Sequence, residues 1–245
     1  MAAGYATARP PIHALILQHA RGCFPRPVLC ALDVGCGAGL STRALHGFAG
    51  RCIGMEPVEA MLRWSATVAP SCEFVVGVAE AIPLAAGSVD LITAAGSLNY
   101  VDLISFFPEA ARVLTAQGVV VVYDFSPGIR FREGSGLQEW FSRFQRRYPP
   151  PLNEARALDP AILAQLDYGF RVRKHNHIEV GVELSPRFYL DYMMTETNVA
   201  FAVRNGVPRD EIRSWCEDTL GPVWGGKKRE ILFSGYFACM TLDRD

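Results

Sequence analysis

LDVGCGAGLSTRAL, residues Leu32 to Leu45, is an apolar run that stops at three glycines and resumes with helical spacing. The run reads as a buried strand, and the segment from Leu40 as a helix. Gly35, Gly37 and Gly39 occupy the turn between them. Glycine permits positive φ and carries no Cβ to hold a neighbour away. In an open parallel sheet the first turn of this kind lies where ligands collect, at the carboxyl ends of the strands. Two readings stay open at this point. The glycines bring backbone against a ligand, or they make a tight strand-to-helix turn that binds nothing. The spacing is not G-x-G-x-x-G, because the place of the third glycine is taken by Leu40. That counts against a dinucleotide fingerprint.

Working outward, "RCIGMEP", "CEFVVGVAE", "VDLITAAGS" and "VVVVYDF" are further short apolar strands, and "VEAMLRWSATVA" and "LISFFPEAARVLTAQ" are helical segments between them. Continuous apolar strands alternating with helices imply a parallel sheet covered on both faces. After Asp124 the character changes. A stretch rich in Gly, Pro, Arg and aromatics runs to about residue 160, with "QEWFSRFQRRY" as a helix inside it. It is followed by a strand "FRVRKHNHIEVGVEL", a helix "SPRFYLDYMMTETNVAF" capped by Ser185 with Pro186 in its first turn, a helix "PRDEIRSWCEDTL" and a last strand "REILFSGYFACMTL". The expected architecture is an α/β fold, a doubly wound, mostly parallel sheet of seven strands. One domain is expected over residues 1–245, with a helical lid of approximately 126–200 inserted after strand five and including strand six.

The composition bounds the function. The chain has 245 residues, half of them hydrophobic, and a net charge of −1. No basic excess marks a nucleic-acid partner. Seven Cys are scattered singly with no C-x-x-C pair, so they read as small buried hydrophobes of a reducing compartment rather than a disulfide framework or zinc site. The opening stretch lacks the charged-then-apolar order of a signal peptide, and no apolar run spans a bilayer. A cytoplasmic protein with no membrane partner is expected. The composition leaves the oligomeric state open.

Two more features bear on the glycine turn. Glu56 ends the second strand about twenty residues after the first glycine, the spacing at which an acid accepts hydrogen bonds from ribose hydroxyls. An acid before a helix also suits the helix dipole, so capping is the alternative. The segment from Gly77 to Asp102, "GVAEAIPLAAGSVDLITAAGSLNYVD", supplies the second.

Taken together, G-C-G-A-G, M-E-P, V-A-E-A-I-P-L and S-V-D-L-I-T-A-A resemble a class I S-adenosylmethionine-dependent methyltransferase. More narrowly the chain looks like the small-molecule branch that includes trans-aconitate methyltransferases, which often begin with a Tyr and an Arg-Pro pair, as Tyr5, Arg9 and Pro10 do here. The motifs lie within residues 5–125. The resemblance implies S-adenosyl-L-methionine as cofactor and S-adenosyl-L-homocysteine as product. It places Gly35, Gly37 and Gly39 against the methionine and ribose. Glu56 would lie on the ribose hydroxyls, Pro57 and Met61 beside the adenine, and Ala79 and Glu80 at the adenine edge. Gly96 and Ser97 would face the methionine amino group, with Tyr5 and Arg9 closing over the methionine end. The chain departs from the pattern twice. Val78 stands where many relatives have an acid, and Asn99-Tyr100 where the narrower branch has His-Trp.

Methyl transfer to an acceptor is an in-line displacement that positioning alone accelerates greatly. A base is needed only when the nucleophile carries a proton of high pKa. Asn99 and Tyr100, at the functional end of the fourth strand, are the candidate catalytic or positioning residues; the alternative is that they begin the next helix. His175 and His177 share one face of a strand, but no third ligand accompanies them, and no metal is expected. Trp140, Phe144, Tyr189 and Met193 are the candidates to contact a small-molecule acceptor, although aromatic stripes at helical spacing are commonly core. The Arg130, Arg132, Arg143, Arg146 and Arg147 run reads as a solvated face, with an acceptor carboxylate as its alternative partner. The competing functions are a nicotinamide-dependent oxidoreductase, a methyltransferase-like protein that binds without turnover, and a methyltransferase of RNA or protein.

Overall fold

A computed structural model describes residues 8–152 and 155–243. The elements run α1 Ile12–Ala20, β1 Cys30–Val34, α2 Leu40–Leu45, β2 Arg51–Glu56, α3 Glu59–Leu62, α4 Ser65–Val68, β3 Glu73–Val76, β4 Val89–Ala95, α5 Leu103–Val113 and β5 Leu114–Phe125. They continue with β6 Arg130–Phe131, α6 Leu137–Arg147, α7 Pro160–Ala164, β7 Phe170–Leu184, α8 Pro186–Met193, α9 Thr197–Arg204, α10 Arg209–Trp224 and β8 Arg229–Leu242. The chain divides into two compact units.

The larger unit takes His13–Phe125, Ala155–Ile178 and the described residues from Gly235 on. Its strands are ordered β3-β2-β1-β4-β5-β8. The first four pairings are parallel, and β5 meets β8 antiparallel, Val119 opposite Thr241 through Phe125 opposite Gly235. The order reverses between β1 and β4, which makes their carboxyl ends the switch point of the sheet. Leu32, Val34, Ile92, Val120 and Val122 are buried together with Phe106, Phe107 and Ala110 of α5. This two-sided burial is why β1, β4 and β5 read as unbroken apolar runs.

The smaller unit takes the described residues up to Ile12, those between Ser126 and Leu152, and Glu179–Ser234. Here Arg130 and Phe131 of β6 pair with Leu232 and Ile231 of β8. The buried face of α6 repeats as Leu137, Trp140, Phe141 and Phe144, the i, i+3, i+4, i+7 stripe of an amphipathic helix. Trp140 stacks on Phe144 at 5.6 Å and on Trp215 at 6.2 Å, and its Nε1–H donates to Thr219 Oγ1 at 2.9 Å. The Arg229 guanidinium lies 3.8 Å over the Phe131 ring.

The sheet carries the expected strands, with the two-residue β6 as an eighth. Other boundaries differ from expectation. The helix expected from Pro186 through Phe201 breaks, because Glu196 leaves helical geometry at ψ 152° and Thr195 N–H turns back to Tyr192 O. The helix expected over Val58–Ala69 is two short turns, α3 and α4. Helices α1 and α7 add to the elements read from the sequence. The residues expected to form a lid, 126–200, are shared between the two units.

Candidate functional site

The glycine turn follows β1. Gly35 N–H and Cys36 N–H both donate to Met55 O, at 2.8 and 3.0 Å, which ties the turn to the end of β2. Gly35 has φ +69°, and a Cβ built there would stand 2.4 Å from Ser97 Cβ. Only a bare backbone passes between β1 and the end of β4. Gly39 has a different reason: with φ +93° it caps α2, and its Cβ would press on the Phe74 ring at 2.9 Å. Two of the three glycines therefore serve close packing within the fold, and Gly35 alone of the three lines the neighbouring cavity.

Beneath the turn, Asp33 is wholly buried. Its Oδ2 accepts from Ser41 Oγ at 2.5 Å and Thr42 Oγ1 at 2.8 Å, and its Oδ1 from Thr93 Oγ1 at 3.0 Å. These bonds join β1 to the first turn of α2 and to β4. Burial pushes the Asp33 carboxyl up to about 6, against the three hydroxyl donors that favour its charge.

The cavity, about 470 Å³, opens at the carboxyl ends of β1, β2, β3 and β4, within the larger unit. Val34, Gly35, Met55, Glu56, Pro57, Val58, Gly77, Val78, Ala79, Glu80, Ala95, Gly96, Ser97, Tyr100 and Val101 line it. Small-molecule sites commonly have this character, an apolar cleft of a few hundred Å³ with few placed polar groups. Glu56 Oε2 accepts from Gly37 N–H at 3.0 Å and Oε1 from Val58 N–H at 3.1 Å. The carboxylate is thereby fixed in orientation, and each oxygen keeps a lone pair for a further donor. On the far wall, Glu80 Oε1 accepts from Asp102 N–H at 2.9 Å. Arg112 holds the strip next to Glu80, donating to Ile82 O and Leu84 O at 2.8 Å each, and Glu109 accepts from Ile82 N–H at 2.9 Å.

Residues 32–122 match the family model described as a methyltransferase domain. This stretch is similar to a methyltransferase domain. Its curated relatives include a protein of Dictyostelium discoideum named as a methyltransferase, 33% identical over 95 residues, covering 39% of this chain and 36% of that one. An uncharacterised methyltransferase of Mycobacterium tuberculosis is 34% identical over 95 residues, covering 39% of each chain. The matched part is little more than a third of the length of either relative. Among solved structures, a protein of Anaeromyxobacter dehalogenans named as a type II methyltransferase superposes with a TM-score of 0.72 at 21% identity, covering 94% of this chain and 95% of that one. Geranyl diphosphate C-methyltransferase from Streptomyces coelicolor, solved with Mg²⁺, geranyl diphosphate and S-adenosyl-L-homocysteine, superposes at 0.52 and 18% identity, covering 95% and 77%. The fold is that of these proteins.

Of the residues singled out in the sequence, the larger unit brings Gly35, Glu56, Pro57, Ala79, Glu80, Gly96, Ser97 and Tyr100 around one cavity. Met61 stands behind the glycine turn, its Cε 3.6 Å from where a Gly37 Cβ would be. Ser97 Oγ is occupied, donating to Val34 O at 2.6 Å, so its backbone is what faces outward. Tyr100 is largely exposed at the cavity rim, and the Asn99 side chain hydrogen-bonds to Asp124. Asn99 and Tyr100 do not begin α5; they form a 3-10 turn before it, and Asp102 is the helix cap.

The remaining residues lie elsewhere. Tyr5 falls outside the described residues. Arg9 belongs to the smaller unit, where it pairs with Glu196 at 3.3 Å and lies 5.1 Å over the Tyr192 ring. Trp140, Phe144, Tyr189 and Met193 are at most 1% exposed, and the Tyr189 hydroxyl donates to Gly128 O at 2.7 Å. They pack into the core of the smaller unit. Arg130 and Arg132 are spent on Glu179 and Glu230. His175 and His177 are exposed, and no group of three or more His, Cys, Asp or Glu among the described residues is arranged to hold a metal. Sequence reading passed over Asp33, Asp124 and Tyr236. Asp33 is the acid of the opening strand, and the other two meet only through strand register.

Proposed function

We propose that the chain is an S-adenosyl-L-methionine-dependent methyltransferase acting on a small molecule. The observation that carries this is Glu56. Its carboxylate is fixed by Gly37 and Val58 N–H groups at the end of β2 and faces an apolar cavity of adenosine size beside a bare glycine turn. The donor and acceptor set fits an adenosyl ligand. Glu56 accepts the ribose hydroxyls, Pro57, Val58, Val78 and Ala79 form the walls of a flat slot for the adenine, and Glu80 meets its edge. Gly35 and Gly96 offer backbone to the amino-acid end. The acid at Glu56 disfavours a ribose 2′-phosphate, and Leu40 in place of a third fingerprint glycine disfavours a nicotinamide dinucleotide. The 33–34% identity of residues in this region to proteins named as methyltransferases supports the same reading.

When bound, the cofactor supplies a methyl group already made electrophilic by its sulfonium. The chain's task is then to hold an acceptor atom in line with that group and to keep water out. The near-neutral charge and the small cavity favour a small-molecule acceptor over RNA or a protein surface. Glu56→Ala tests the proposal. It should weaken S-adenosylmethionine binding by about 1.5–3 kcal/mol, the worth of hydrogen bonds to a charged group. Methyl transfer from labelled S-adenosylmethionine to a panel of small alcohols, phenols, amines and acids should fall with it. Unchanged binding in Glu56→Ala would overturn the assignment.

A further inference from the structure

Beside the part of the cavity wall proposed to face the amino-acid end of the cofactor, the larger unit holds a polar group that this cofactor does not use. Asp124 ends β5, and its carboxylate lies against Gly96 of the cavity wall: a Cβ built on Gly96 would stand 2.9 Å from Asp124 Oδ1. Two donors orient this carboxylate, the Phe125 N–H at 2.8 Å to Oδ1 and the Asn99 side chain. Directly opposite Asp124 in the β5–β8 ladder stands Tyr236. Opposed residues of an antiparallel pair point to the same face, with Cβ atoms about 5 Å apart. Tyr236 is 8% exposed, and its hydroxyl is buried without a hydrogen-bond partner among the described residues. A buried unpaired hydroxyl costs a protein stability, and such a group calls for a specific explanation. The charges that reach it are Asp124 and Asp159, both acidic. The His177 ring packs against the Tyr236 ring, with centroids 6.5 Å apart.

We infer that Asp124, oriented by Asn99 and flanked by Tyr236, is the acceptor-binding carboxylate of the site, and that it selects a neutral acceptor bearing an O–H or N–H group over a carboxylate. The inference rests on the cofactor reading above for the reaction, and on the charge around Asp124 for the selectivity. An anionic acceptor would be placed against the Asp124 carboxylate, and like-charge contact is costly. An acceptor with an O–H or N–H donates to Asp124, and the Tyr236 hydroxyl is a second partner on the same face. On transfer the acceptor's oxygen or nitrogen forms the new bond to the methyl carbon, the sulfur–methyl bond breaks with its electron pair left on sulfur, and the acceptor's proton passes to the Asp124 carboxylate. Burial raises the Asp124 carboxyl above the usual carboxylate range, against the two donors, which makes it a better proton acceptor than an exposed acid.

The test uses two probes of one carbon skeleton, benzyl alcohol and benzoate, with binding read by ligand-observed NMR on the full chain, with and without S-adenosylhomocysteine. The wild type should prefer benzyl alcohol by about tenfold or more, the scale of a like-charge penalty. Asp124→Asn, which removes the charge and keeps the shape, should collapse that preference by tightening benzoate. Tyr236→Phe should weaken benzyl alcohol by roughly threefold to tenfold, the worth of one hydrogen bond, and leave S-adenosylhomocysteine binding unchanged. Equal or stronger binding of benzoate by the wild type, binding of neither probe, or an Asp124→Asn variant that is folded and keeps the wild-type ratio each overturns the inference. If S-adenosylhomocysteine fails to bind while the probes discriminate, the cofactor reading falls and the acceptor subsite stands.

Discussion

At the scale of the residue, the opening motif is held together by the one acid of its strand. Asp33 sits in an apolar strand and is the hub of three hydroxyl bonds to Ser41, Thr42 and Thr93. Its carboxyl is raised to about 6 by burial. A raised acid binds its proton more tightly in the native state than in the unfolded chain, where it titrates near 3.9. The wild type should therefore lose stability relative to Asp33→Asn as pH rises from about 4 to about 6, by up to roughly 3 kcal/mol, and the difference should level off above that. Chemical denaturation of both proteins across this range checks it; a difference that does not change with pH contradicts it. Gly35 makes a second prediction. At φ +69° and 2.4 Å from Ser97 Cβ, an added methyl has no room. Gly35→Ala should cost upwards of about 1–3 kcal/mol, since it combines strain with overpacking. By contrast Gly87→Ala, whose Cβ would meet nothing within 4 Å, carries the φ penalty alone and should cost less.

Elements differ in how openly they declare themselves. β1, β4 and β5 are legible because burial on both faces demands an unbroken apolar run, and α6 because one face must be apolar at a period of 3.6. The breaks in the expected helices were not legible. Nothing in the residues around Glu196 announces that it leaves helical geometry; it does so while pairing with Arg9 of a distant segment. Tertiary pairing of that kind overrides local propensity. The candidate site divides in the same way. Gly35, Glu56, Ala79, Glu80 and Gly96 sit at strand ends, where chain order and the switch point predict them. Asp124 and Tyr236 meet only because β5 and β8 pair in one register, which no local pattern encodes. The aromatic stripe of α6 is buried, and from sequence alone a core face and a pocket face share a period. Trp140 shows the difference: Trp140→Ala should cost about 3–5 kcal/mol as a core truncation. A loss below 1 kcal/mol in thermal or denaturant unfolding would mean that the ring fills no core.

For the whole molecule, the thiols report the packing of the chain. Cys36, Cys52, Cys216 and Cys239 are buried, and Cys23, Cys30 and Cys72 are half-buried. Burial pushes Cys52 and Cys216 up to about 12, and Cys36 and Cys239 higher. Thiolate is the reactive form, so these four should resist alkylation in the native protein. Iodoacetamide at neutral pH should modify at most the three half-buried thiols, read by intact mass, and all seven once the chain is unfolded. Native labelling of Cys36 would show that the glycine turn opens.

The central claim is that the glycine turn and Glu56 make one adenosyl site, and direct titration calorimetry tests it most plainly. S-adenosylmethionine, S-adenosylhomocysteine and NAD should each be titrated into the wild-type chain. Both adenosyl ligands should bind at micromolar concentration, the range of about −8 kcal/mol, and NAD should give no heat. Binding of NAD without the adenosyl ligands, or of none of the three, would contradict the claim and return the three glycines to the service of the turn alone.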